Sequence, residues 1–192
     1  MGEGDAGTAA SLDIVKREWM DIDCAVKEQK MQEVMVDIGE CAIGDASKVL
    51  VCLGLGSCVG VVIFDINRKV AGLAHVMLAS KSMGFAGSES LNLSKKFADV
   101  AVPYLVESLL KAGCAKGAMR SKIAGGAQMF KDSSDELFDI GRRNVASVKE
   151  ILKGYNIPVI SEDIYGSEGR TMKFVVDTSK AYVRTKSRMI AL

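Results

Sequence analysis

Leu12, Val15, Trp19, Ile22 and Val26 recur at steps of three and four, a spacing that predicts an amphipathic helix with Ser11 as its N-cap. The pattern then changes. Glu33 to Ile38 alternates, Gly44-Asp45-Ala46-Ser47 reads as a turn, and Val49 to Leu53 is a short apolar run, so two strands are expected here. Cys58 to Phe64 and Val70 to Leu78 are rich in valine and flank the polar stretch 65–69, which predicts a hairpin. Residues 79–90 read as an exposed loop. Phe97, Ala101, Val102, Leu105, Val106, Leu109 and Leu110 form a wide apolar face that stops at Gly113, with Pro103 expected to kink or shift the helix. Ala118 to Ala124 reads as a strand running into Gly125-Gly126, and Asn144 to Leu152 as a helix ending near Gly154. Val159-Ile160, Lys173 to Val176 and Ala181 to Arg184 complete the expected strands.

Strands and helices are interspersed without regular βαβ alternation, which predicts an α+β fold with mixed or antiparallel sheets layered with helices. At 192 residues the chain is sized for a single domain. A hydrophobic share of 48% beside 26% charged residues and two prolines marks a globular chain. Twenty-five basic against 24 acidic residues leave a net charge of +1, so no strong field favours nucleic acid. The longest uncharged stretch, residues 49–64, is interrupted by glycines and too short for a membrane helix, so no membrane insertion is expected. The first ten residues lack the parts of a secretory signal, and five cysteines at irregular spacing read as free thiols, so a cytoplasmic protein is expected.

The densest chemical signal lies in Leu53-Gly54-Leu55-Gly56-Ser57-Cys58-Val59-Gly60, where glycines displace side chains that an apolar run would otherwise bury. No Gly-Lys-Ser/Thr follows, and the glycines run one residue too long for a dinucleotide fingerprint. Metal spacing is absent, so neither metal nor cofactor is expected. A Cys-His pair remains, and because the chain has one histidine, any imidazole base is His75. A hairpin whose paired residue numbers sum to 133 sets Cys58 opposite His75. A sum of 135 sets His75 opposite Gly60, with Cys58 its same-face diagonal neighbour at about 7–8 Å. Such a pair suits acyl transfer, with histidine as proton shuttle and turn amides such as those of Gly56 and Ser57 stabilising an oxyanion. The same residues also fit a buried core cysteine and a satisfied interior histidine.

The string LGLGSCVGVVIFD, followed in order by GLAHVML, KKFADVAVPYLVE, KIAGGAQMF, IGRRN and EDIYGSEGRT, resembles the CheD family of chemoreceptor glutamine deamidases over about residues 31–186. The resemblance leaves residues 1–30 as an N-terminal extension and 187–192 as a C-terminal tail. It implies a cysteine-hydrolase type α/β/β sandwich without a cofactor. It further implies an enzyme that converts selected glutamines on the cytoplasmic helices of methyl-accepting chemoreceptors to glutamates, with methyl-ester hydrolysis as a related activity. By position, Cys58 is then the nucleophile and His75 the base. The family usually carries a threonine six residues before the nucleophile as third member of a triad, and this chain has Cys52 there. Cys52 is either a weak replacement or a core residue, in which case a backbone carbonyl or another side chain orients His75.

Gly125, Gly126, Gln128 and Phe130 are candidates for a rim that touches receptor or partner helices, or for a turn ending a strand. Arg142-Arg143-Asn144 reads as a charged helix start that either guides an acidic helix or is a solvated face. Two further readings stand beside the enzyme: an adaptor docking a CheC-type response-regulator phosphatase, and a thiol sensor linking Cys52 to Cys58.

Overall fold

The computed structural model describes residues 6–28, 30–83, 95–128 and 140–192. Two five-stranded sheets stack face to face, with helices on both outer surfaces. The first sheet has the order β1 (Gln32–Met35), β3 (Lys48–Leu55), β8 (Arg170–Val175), β9 (Lys180–Arg184), β10 (Met189–Ala191). The second has the order β2 (Cys41–Asp45), β5 (Val70–Val76), β4 (Val59–Asp65), β6 (Met119–Gly125), β7 (Val159–Ile164). Pairs β1·β3 and β6·β7 are parallel and the rest antiparallel, so the α+β expectation with mixed sheets holds.

Alternation along the strands builds three apolar layers. Leu50 and Cys52 of β3 face Val62 and Phe64 of β4 between the sheets, where the Phe64 and Phe174 ring centroids are 5.1 Å apart. Val59, Val61 and Ile63 face the other way, onto α2 (Ala98–Lys111) and α3 (Ile140–Gly154). Strands covered on both faces read as continuous apolar runs, which is why β4 and β5 were legible. Pro103 lies within the first two turns of α2, which starts at Ala98 and runs on through it.

The amphipathic N-terminal stripe becomes α1 (Ala6–Lys27), laid on the outer face of the first sheet, where Trp19 and Ile22 cover Val49, Val51, Val175 and Tyr182. Lys173 reaches from β8 to Asp23 at 2.5 Å and Glu33 at 2.6 Å, and its ammonium and the Arg184 guanidinium each lie 5.0 Å from the Trp19 ring. Trp19→Ala is expected to cost about 3 kcal/mol of stability, the size usual for deleting a buried aromatic. In a thermal melt that is a fall of roughly 6–12 °C. Cys58 labelling should be unchanged, because α1 packs on the sheet face turned away from the second sheet.

Two strands differ from the sequence reading. Cys41–Asp45 forms β2 although its second half reads as a turn, because pairing with β5 overrides local preference at Gly44. Met189–Ala191 forms β10 on the edge of β9, too short for its pattern to register. Of the loop expected exposed at 79–90, Ala79 is buried and Lys81–Met83 is a 3₁₀ turn, while residues 84–90 lie outside the described residues, as does Phe130.

The fold places one crossing where chemistry is concentrated. β3 ends at Leu55 in one sheet and β4 begins at Val59 in the other, so Gly56-Ser57-Cys58 carries the chain between sheets. The register slips by one residue between Cys52 and Leu55, a bulge in which Gly54 takes φ +67°, the left-handed region that glycine enters freely.

Candidate functional site

The β4·β5 ladder pairs Gly60 with His75 and Val59 with Val76, so the register summing to 135 is the one present. Cys58 is the next same-face position beyond Gly60. Its thiol, half-buried, packs against the cluster between the sheets. Gly60 keeps this place narrow, since a Cβ there would stand 2.9 Å from Leu55 Cδ1.

His75 is 1% exposed. Its N–H bonds to Glu40 O at 3.1 Å, and its carbonyl accepts from Gly39 N at 3.0 Å. On the ring, Nδ1 lies 3.3 Å from Val36 O. A carbonyl only accepts, so Nδ1 carries the proton and Nε2 presents its lone pair. Nε2 has no hydrogen-bond partner among the described residues. Val36 is fixed in turn by its own N–H on Val51 O at 2.8 Å.

The orienting group is therefore a backbone carbonyl, one of the alternatives that the Cys52 position left open. Cys52 is fully buried in the layer between the sheets, and burial pushes its thiol above the ordinary range, which makes it inert at neutral pH. Burial also raises the Cys58 thiol, opposed by its own backbone N–H, and lowers His75, opposed by Val36 O and Asp37.

Both partners are then neutral at rest near pH 7, because burial holds the Cys58 thiol above its ordinary range and the His75 imidazole below its own. Iodoacetamide labelling of the Cys58 peptide, followed by mass spectrometry, is expected to be nearly silent at pH 5 and to climb toward alkaline pH as the buried Cys58 thiol ionises. A preformed thiolate–imidazolium pair would label at close to full rate at pH 5.

The nucleophile-bearing turn is held by its carbonyls. Gly56 O accepts from Ala127 N at 2.8 Å, Ser57 O from Asn144 Nδ2 at 2.9 Å, and Cys58 O from Gly126 N at 2.8 Å. No peptide bond among the described residues is cis, and in a trans peptide the N–H points opposite to the carbonyl before it. The Ser57 and Cys58 amides are thus turned away from their anchors. Gly56, expected beside Ser57 as an oxyanion donor, instead spends its N–H on Gly54 O at 2.9 Å. The donors this turn offers are Ser57 and Cys58.

Gly125 and Gly126, candidates for an exposed contact rim, are buried against the Cys58 carbonyl, while Gln128 is exposed. A turn at Tyr165-Gly166 backs them: Tyr165 N donates to Gly125 O at 2.9 Å, and Gln128 N to Gly166 O at 2.8 Å. Arg170 holds that turn, donating to Tyr165 O at 2.5 Å, Glu168 O at 3.0 Å and the buried Asp163 at 2.8 Å, and Arg188 also reaches Asp163. Asn144, expected on a charged and solvated helix start, is fully buried. Its signal was present in the sequence, since Asn144, Val148 and Leu152 follow one another at steps of four on the buried stripe of α3. Val36 carried no such signal, because it acts through its backbone.

Among the described residues no group of three or more His, Cys, Asp or Glu side chains could hold a metal ion, and no helix is long and apolar enough to cross a membrane. Residues 77–185 match the family model described as CheD chemotactic sensory transduction, a span that begins two residues beyond His75. The chemoreceptor glutamine deamidase CheD of Bacillus velezensis is 50% identical over 133 residues, 69% of this chain and 78% of that protein. The probable chemoreceptor glutamine deamidases CheD of Geobacillus kaustophilus and Clostridium novyi are 44% identical over 161 residues and 40% identical over 154. These cover 83% and 80% of this chain and 96% and 93% of the relatives. A crystal structure of a Neisseria meningitidis protein of family DUF152 aligns over 77% of this chain and 67% of its own, at 10% identity and a TM-score of 0.44. With identity of this order across most of both chains, and a family match over more than half of this one, the chain belongs to the CheD family.

Proposed function

We propose that this protein deamidates selected glutamine side chains of methyl-accepting chemoreceptors to glutamates, with Cys58 as nucleophile and His75 as general base. The observation that carries the chemistry is the imidazole: Nδ1 is committed to Val36 O, Nε2 keeps an unpartnered lone pair, and the β4·β5 register sets His75 on the same sheet face as Cys58. The substrate class comes from the relatives, which are named chemoreceptor glutamine deamidases.

In this reading Nε2 takes the Sγ proton as sulfur attacks the carboxamide carbon, and the carbonyl π electrons move onto oxygen. The Ser57 and Cys58 amides receive that oxyanion. Collapse of the intermediate breaks the C–N bond, the imidazolium gives its proton to nitrogen, and ammonia leaves. A water molecule then loses a proton to Nε2 and attacks the thioester, and the expelled thiolate recovers the proton from the imidazolium. The products are glutamate and the free thiol, and no cofactor enters the balance. A glutamyl methyl ester passes through the same steps with methanol leaving.

The test is peptide mass spectrometry of a receptor cytoplasmic fragment incubated with the wild-type protein, Cys58→Ala or His75→Ala. Conversion of specific glutamines by the wild type alone is the expected result. Several receptors left unmodified by a protein that still binds a CheC-type phosphatase would replace the enzyme with an adaptor. The cytoplasm, where those receptor helices lie, is the compartment this function requires.

A further inference from the structure

We propose that Asn144 is a positioning residue for this reaction: its carboxamide locks the Ser57–Cys58 peptide and braces it against the end of the strand that carries His75. The proposal rests on the pairing of Cys58 with His75 argued above. Asn144 is fully buried on α3, and both of its N–H donors are committed, one to Ser57 O at 2.9 Å and the other to Met77 O at 2.8 Å. Both partners are carbonyl oxygens, so the orientation of the amide is fixed by chemistry.

The location gives these two bonds their purpose. The ladder between β4 and β5 ends with Val59 opposite Val76, one residue short of Cys58. Beyond it, the amides of Met77 and Leu78 turn to Lys96 O at 2.8 and 3.0 Å, away from the Cys58 side. No strand rung therefore ties residues 57–58 to 77–78, and the Asn144 amide supplies that tie from a helix. Because the Ser57 carbonyl and the Cys58 N–H belong to one planar peptide, holding the carbonyl also aims the amide that would meet the oxyanion.

The side chain is kept at a cost. Asn144 Oδ1 is buried without a partner among the described residues, although the positions around it on α3, Val145, Val148 and Leu152, are apolar. A buried polar atom left unsatisfied opposes folding, and such atoms concentrate where function requires them.

The experiment compares Asn144→Ala, the milder Asn144→Ser, and Val148→Ala, a buried α3 substitution whose side chain can form no hydrogen bond to the turn, each alone and in a His75→Ala background. Cys58 labelling by iodoacetamide at pH 7.5 reads the thiol–imidazole geometry without any receptor. Asn144→Ala is expected to slow labelling on the order of tenfold, Asn144→Ser by less, and Val148→Ala not at all. In the His75→Ala background Asn144→Ala should add nothing, because the geometry it maintains has lost its partner. With receptor as substrate, kcat should fall on the order of 100-fold with KM within about twofold. Labelling by Asn144→Ala equal to that of Val148→Ala, or a loss that adds in full to that of His75→Ala, overturns the proposal. A wild type that deamidates no receptor sinks the functional reading instead, and the labelling comparison still decides the role of Asn144.

Discussion

Replacing Cys58 with alanine is expected to lower kcat for receptor deamidation by about 10,000-fold or more, with KM little changed. The proposed path has no other group in position to form the thioester, since Cys52 is sealed between the sheets with its thiol held protonated. His75→Gln should fall nearly as far, roughly 1,000- to 10,000-fold, because glutamine can donate to Val36 O yet cannot relay a proton. The double substitution should be no slower than Cys58→Ala alone, as expected of residues that act in one step. Ammonia release under steady-state conditions, alongside thermal melts to confirm folding, measures all three. A Cys58→Ala protein retaining a tenth of wild-type kcat would remove the thioester from the mechanism.

Gly125→Ala is expected to be the most damaging single methyl group in the structure. At φ +118° the backbone occupies a region L side chains rarely enter, and an added Cβ would stand 2.1 Å from Cys58 O and 3.2 Å from Val59 Cα. Every one of those neighbours is backbone, so no rotamer change relieves the clash. The end of β6 must separate from the turn it supports, breaking the bond from Gly126 N to Cys58 O. A loss of about 4 kcal/mol follows, at the upper end for point substitutions. That corresponds to a melting temperature lower by roughly 8–16 °C, together with loss of turnover in whatever remains folded. Gly154→Ala serves as control, since nothing lies within 4 Å of the added methyl and its φ is not positive. Should Gly125→Ala melt within about 2 °C of wild type, the turn does not depend on this contact.

Elements whose burial is periodic, and chemistry that depends on residue type, are legible in the order of the amino acids alone. The valine-rich runs became β4 and β5, and the Trp19 stripe became the buried face of α1. One histidine in 192 residues left His75 as the sole imidazole, and the ordered motifs identified the family. Between the two hairpin registers that allowed Cys58 to meet His75, periodicity was indifferent, because both keep the same faces buried. Tertiary pairing chose 135.

Tertiary structure also decided what holds the pair. Val36 acts through a carbonyl that every residue possesses, and Gly56 is withdrawn from the oxyanion by a bond to Gly54. Gly125 is required by a backbone 67 residues away in the chain, and Asn144 joins the turn before β4 to the residue after β5. Hydrophobic period reports whether a position faces inward, and residue type reports what a side chain can do. Neither reports which backbone group it will meet there, because that contact exists only after strands and helices distant in sequence have been packed together.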